Sequence, residues 1–179
     1  MSTESPTPIS ALLEHAASGD LAIAGSAARE LLIRHHECDQ QIPALIDQMR
    51  HPNAAISDLA FRTLERLGEK AVPHAIVAYQ ESNESFKIRL MGLIAEIANY
   101  DEYFPLLQDT FENGSPPCRF WAANCIGRKF DENSNWSPDA LNTLSESVGL
   151  LLSLQGDPAL WPQARITLKG LGMLPDSAA

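Results

Sequence analysis

An all-α chain, an α-solenoid of about five stacked helical hairpins, is the fold class this sequence predicts. Three observations predict it. Short apolar-proline pairs recur about every thirty residues, at Ile42-Pro43, Val72-Pro73 and Phe104-Pro105. A second apolar stretch follows each pair at one constant offset. No segment alternates apolar and polar residues for long enough to make a strand.

The first helix of each unit opens at its apolar-proline pair. One period before Ile42 stands Ile9, the start of Ile9-Ser10-Ala11-Leu12-Leu13. In the copies that follow, Ile42, Leu45, Ile46 and Met49, then Val72, Ala75, Ile76 and Tyr79, fall on one helical stripe. The second helix is marked by Ala24, Ser57, Lys87 and Arg119, each fifteen residues past its own entry. Around that column the apolar positions repeat. Ile23, Ile56, Phe86 and Cys118 precede it; Ala27, Ala60, Leu90 and Ala122 lie three residues on. Ala28, Phe61, Met91 and Ala123 lie four on, and Leu31, Leu64, Ile94 and Ile126 seven on. Trp161 opens a fifth copy with Leu160, Ala164, Arg165 and Leu168, where only Arg165 breaks the apolar rule.

The breaks fall where two helices per unit need them. Thr7-Pro8, Ser115-Pro116 and Asp157-Pro158 each set a capping side chain before a helix-starting proline. Gly19-Asp20, His51-Pro52-Asn53 and Ser82-Asn83-Glu84 read as turns, and Gly68 as a C-cap after Leu67. Pro162, near the start of the final helix, is expected to bend or delay it. The organisation expected is an N-terminal tail over 1–8, one repeat domain over 9–173 and a C-terminal tail over 174–179.

Composition narrows the function classes. Hydrophobic residues make up 45% of the 179, enough for a continuous core. The formal net charge of -10 repels phosphate backbones and disfavours nucleic acid as a partner, while suiting solubility or a positively charged protein. Cys38, Cys118 and Cys125 are odd in number and irregular in spacing, which fits a reducing compartment. The start, Met1-Ser2-Thr3-Glu4-Ser5-Pro6, has no basic and apolar signal pattern. The apolar run from Val148 to Leu154 is too short to span a bilayer, so the expected location is cytoplasmic with no membrane partner.

Ile-Pro-Ala-Leu, a short polar turn, then a helix reaching Ala-Ala-x-x-Ile-Gly, resembles the HEAT repeat, in particular its short bacterial, phycobilisome-lyase-like form. Cys118-Arg119-Phe120-Trp121-Ala122-Ala123-Asn124-Cys125-Ile126-Gly127 carries the resemblance best. It runs over about 9 to 173 and implies a right-handed solenoid of HEAT-like hairpins. Ser57 and Ala24 stand where the repeat has arginine, and about ten extra residues lie around Asp131 to Ser137. Deoxyhypusine hydroxylases share the repeat and hold iron with repeated His-Glu dyads; here His36-Glu37 is the one such dyad.

No catalytic constellation emerges. His35-His36-Glu37-Cys38 lie side by side, and neighbours on a helix point apart, so the run reads as a polar helix end rather than a metal site. Cys118 and Cys125, seven apart, read as small buried residues. Phosphate-binding glycine loops and nucleophile elbows are missing from the sequence. The expectation is a non-enzymatic chain with no metal and no cofactor.

On the second helices, the positions outside the apolar columns are expected to face solvent on the inner curve. They include Arg29, Arg62, Arg66, Arg89 and Arg128, and the apolar Leu59, Ile88, Leu93, Phe120 and Trp121. Exposed apolar groups of this size, with arginine and tryptophan among them, mark a binding surface. The function expected is a protein-protein interaction module, an adaptor or an inhibitor or immunity-type protein. Its concave face would bind another protein through Arg62, Arg66, Ile88, Arg89, Phe120, Trp121 and Arg128. Two alternatives come from analogy of fold: a nucleic-acid binding or repair protein of the HEAT-like DNA glycosylase type, and a bilin lyase-like protein.

Overall fold

Helix starts are written in the side chains that precede them. Asp20 accepts hydrogen bonds from the Ala22 and Ile23 amides, Asn53 from Ala55, Asn83 from Phe86 and Ser137 from Ala140. Each satisfies a first-turn N–H that has no partner within the helix. The structure, a computed structural model, describes residues 6–129 and 137–174. Within them there are ten α-helices and no strand, so the all-α class holds.

The chain divides into two compact units. The first, residues 1–82 with 96–98, contains α1 (Ile9–Ala16), α2 (Leu21–Ile33), α3 (Ile42–Gln48), α4 (Ala54–Leu67) and α5 (Val72–Glu81). α1 pairs with α2 and α3 with α4, as the repeat predicts, while α2 packs on α4 and α3 on α5. Leu31, Leu45, Ile46, Met49, Leu64 and Ala75 fill the space between them. Gly68 ends α4 with φ 61°, the left-handed region where a side chain is strained, which makes it the C-cap expected.

The second unit, residues 83–95 with 99–179, contains α6 (Glu84–Ile97, whose last residues count with the first unit), α7 (Tyr100–Asn113), α8 (Pro116–Lys129), α9 (Pro138–Ser153) and α10 (Trp161–Gly170). α8 is the centre of this unit: α7, α9 and α10 all pack on it. Its Ala122, Ala123 and Ile126 are fully buried. Small residues let those neighbours approach. A Cβ on Gly127 would lie 2.6 Å from Thr167 Cγ2, so the missing side chain makes room for α10.

Three local expectations are corrected. α7 opens at Tyr100 rather than Phe104, which leaves Pro105 inside the helix and one main-chain hydrogen bond unmade; the added turn buries Tyr103 completely. Pro162 neither bends nor delays α10, because it falls in the first turn, where no N–H is needed. Thr7 does not cap α1. The cap position is Pro8, and the Thr7 carbonyl instead accepts from Arg34 Nη1 at 2.6 Å. The extra residues around Asp131 lie outside the described residues except for Ser137.

Candidate functional site

The column that marks each second helix has a structural task in two copies. Ser57 Oγ donates to the Met49 carbonyl, and Arg119 Nε donates to the Phe111 carbonyl at 2.9 Å. Each bond reaches eight residues back, to the last turn of the preceding helix, where carbonyls lack partners. Serine and arginine thus close the same hairpin bond by different means. The Arg119 guanidinium also lies over the Phe111 ring, 5.7 Å from its centre. It is held at two points.

Beside this fixed arginine lies a groove of about 260 Å³. Pro116, Pro117, Arg119, Phe120 and Trp121, from the first turns of α8, form one wall. Leu150 of α9, with Leu154 and Leu160 from the α9–α10 connection, forms the other. The two prolines start α8 without supplying N–H groups, so the helix end lends its positive field but no donor at those positions. Trp121, half-buried, meets Phe120 edge to face at 5.4 Å. Apart from Arg119, the lining carries no charged side chain.

The residues expected on one solvent-facing surface have different fates. Phe120, 3% exposed, and Leu93, fully covered, belong to the core and are corrected as exposed contacts. For Phe120 the physical reason is that α8 has helices on three sides and no broad polar face left. Leu59, Ile88 and Arg89 are half-buried; Leu59 lines a small apolar void with Leu13 and Leu31. The Nε of Arg89 is buried with no acceptor among the described residues. Arg29, Arg62, Arg66 and Arg128 are exposed. Arg62 pairs with Glu65 at 2.9 Å, which raises its pKa, and Arg66 donates to the Leu32 carbonyl at 2.9 Å near the end of α2.

Arg62 and Arg66 stand one turn apart in the first unit; Ile88, Arg89, Phe120, Trp121 and Arg128 belong to the second. Of the seven, the groove gathers Phe120 and Trp121. Pro116, Pro117, Arg119, Leu150, Leu154 and Leu160 were not singled out from sequence as site residues. The available signal was Leu150 and Leu154, four residues apart at the end of α9 and just past it.

Elsewhere the chemistry is quiet. Cys38, Cys118 and Cys125 are buried and in no disulfide, and burial pushes the Cys38 thiol up from its ordinary value. His36 and Glu37 approach to 3.7 Å, and among the described residues no three His, Cys, Asp or Glu side chains converge on a metal-sized site. No helix among them is long and apolar enough to cross a membrane.

No protein-family model matches the chain, and no curated protein matches it. Among solved structures it is similar to a chain of the complex of CpcE and CpcF of phycocyanin lyase from Nostoc sp. PCC7120. The identity is 25%, over 76% of this chain and 81% of that one, with a TM-score of 0.51. This likeness bears out the fold class, helical hairpins following one another in series.

Proposed function

We propose that this chain is a non-catalytic protein-binding module that works joined to a second polypeptide, with the α8–α9 groove as its docking site. The observation that carries the reading is the groove itself: a half-buried tryptophan and two prolines facing leucines, with a fixed arginine alongside. Apolar anchors seated in such grooves dominate protein-protein affinity. The similar chain was solved as a complex of two proteins, which supports a protein partner. Three buried cysteines, none of them in a disulfide, fit a reducing, cytoplasmic setting.

Affinity capture with the intact chain as bait, repeated with Trp121→Ala, tests this. The expected result is loss of the captured partner with an unchanged helical circular-dichroism spectrum. A partner retained by the variant overturns the groove as the docking site. An inhibitor or immunity-type version, in which the acidic chain covers a basic enzyme, requires that the captured complex weaken steeply with salt. Arg62 and Arg66 of the first unit, and Ile88, Arg89 and Arg128 of the second, remain proposed partner contacts, each tested by a single substitution in the same capture.

The likeness to a phycocyanin lyase chain favours a second reading, bilin handling. The apolar groove beside an arginine is the feature that would receive a planar, carboxylate-bearing tetrapyrrole. Titration with phycocyanobilin, followed by its absorption, tests it. A spectrum identical to that of free bilin removes the reading.

A further inference from the structure

The groove carries a charge preference that the apolar lining alone does not explain. The chain has 23 acidic residues against 13 basic ones, and two of its arginines are engaged by carboxylates: Arg34 by Glu30 and Glu37, Arg62 by Glu65. Arg119 is different. It is exposed, its Nε is held by the Phe111 carbonyl and its plane by the Phe111 ring, and no carboxylate pairs with it among the described residues. Its two Nη groups have no acceptor among the described residues, and the side chain lines the groove. The positive end of the α8 dipole, at Pro116 and Pro117, lies on the same wall. Two sources of positive potential thus meet at an otherwise uncharged apolar groove.

Fixing a guanidinium in advance removes much of the side-chain entropy that weakens ordinary surface ion pairs. The geometry suits a carboxylate, whose two oxygens match the Nη edge. The volume, about 260 Å³, is that of one large side chain with part of a neighbour rather than of a folded surface. Resting on the docking reading above, we infer that the groove accepts a short partner segment in which a bulky apolar side chain stands next to an acidic one. The apolar side chain sits against Trp121, Leu150 and Leu154, and the carboxylate meets Arg119. The segment is thus selected by charge within a chain whose overall charge would repel it.

The test varies the ligand first and the protein second. Three fluorescein-labelled ten-residue peptides, with Leu-Phe-Glu, Leu-Phe-Gln or Leu-Phe-Lys at their centre, are titrated with the full chain by fluorescence polarisation at low salt. The Glu peptide is expected to bind about three- to fivefold more tightly than the Gln peptide, the range an exposed but ordered ion pair supports. The Lys peptide should be weaker still, and the differences should collapse near 1 M salt. Leu154→Glu, which places a negative charge within the groove, should abolish binding of the Glu peptide. Arg119→Lys, which keeps the charge, should retain part of the preference.

Equal affinity of the three peptides overturns the inference. So does the absence of binding by all of them, and so does saturable binding of free 3-phenylpropionate with no peptide binding, which would make the groove a small-molecule site. These results are separable from failure of the docking reading. In that case, native partner capture survives Trp121→Ala whatever the peptides do.

Discussion

Thr167 Oγ1 donates to Asn124 Oδ1 at 2.7 Å, and Asn124 Nδ2 donates to the Phe120 carbonyl at 2.9 Å, all within a site almost closed to solvent. A buried polar pair is stabilising only while both ends are satisfied. Thr167→Val keeps the shape and strands the asparagine oxygen, so it should cost about 1–3 kcal/mol. For a chain of this length that is a fall of roughly 2–12 °C in the melting temperature, measured by calorimetry. Ser57→Ala should cost about 1 kcal/mol by freeing the Met49 carbonyl, measured by urea unfolding. Arg34 gives the first unit one source of pH dependence. Its side chain holds Glu37 through two bonds, at 3.0 and 2.7 Å, and so lowers the Glu37 pKa below the usual carboxylate range. A lowered folded-state pKa gives stability that is fully present above the unfolded value and lost as the pH falls through the folded one. Thermal melts over the acid range should therefore show a steeper loss for the native chain than for Arg34→Met.

At the scale of the helix, the sequence was readable wherever one face is buried and one is wet. α1, α3 and α5 begin at Ile9, Ile42 and Val72, the residues that periodicity and proline marked. α8 does not follow that rule. A helix with neighbours on three sides buries residues all round, and a single-stripe reading then assigns Phe120 to solvent when it belongs to the core. α7 departs for another reason: an apolar-proline pair signals a helix start, yet this helix accommodates Pro105 in its second turn. The groove was partly legible, through Trp121, but its far wall depends on which helices meet, and spacing along the chain does not encode that. Gly127→Ala tests the closeness of α8 and α10. The new methyl would collide with Thr167 and crowd Leu171, and overpacking of this kind should destabilise by about 1–3 kcal/mol, seen as a lower urea midpoint.

For the whole molecule, the extent of the domain is a proposal. We take residues 9–173 to unfold as one cooperative body, because the single helix α6 contributes residues to both compact units and cannot serve both once its end has frayed. Circular dichroism at 222 nm and differential scanning calorimetry should then show one coincident transition, with calorimetric and van't Hoff enthalpies equal. Two resolved transitions would divide the domain.

Arg119 has one further consequence, for how this chain can change. The side chain that ties α7 to α8 also lines the groove. A mutation that retunes recognition therefore loosens the scaffold, and one that repairs the scaffold by a serine, as at position 57, erases the outward charge. Variants that acquire new specificity should accordingly keep this arginine and diversify the leucines opposite it.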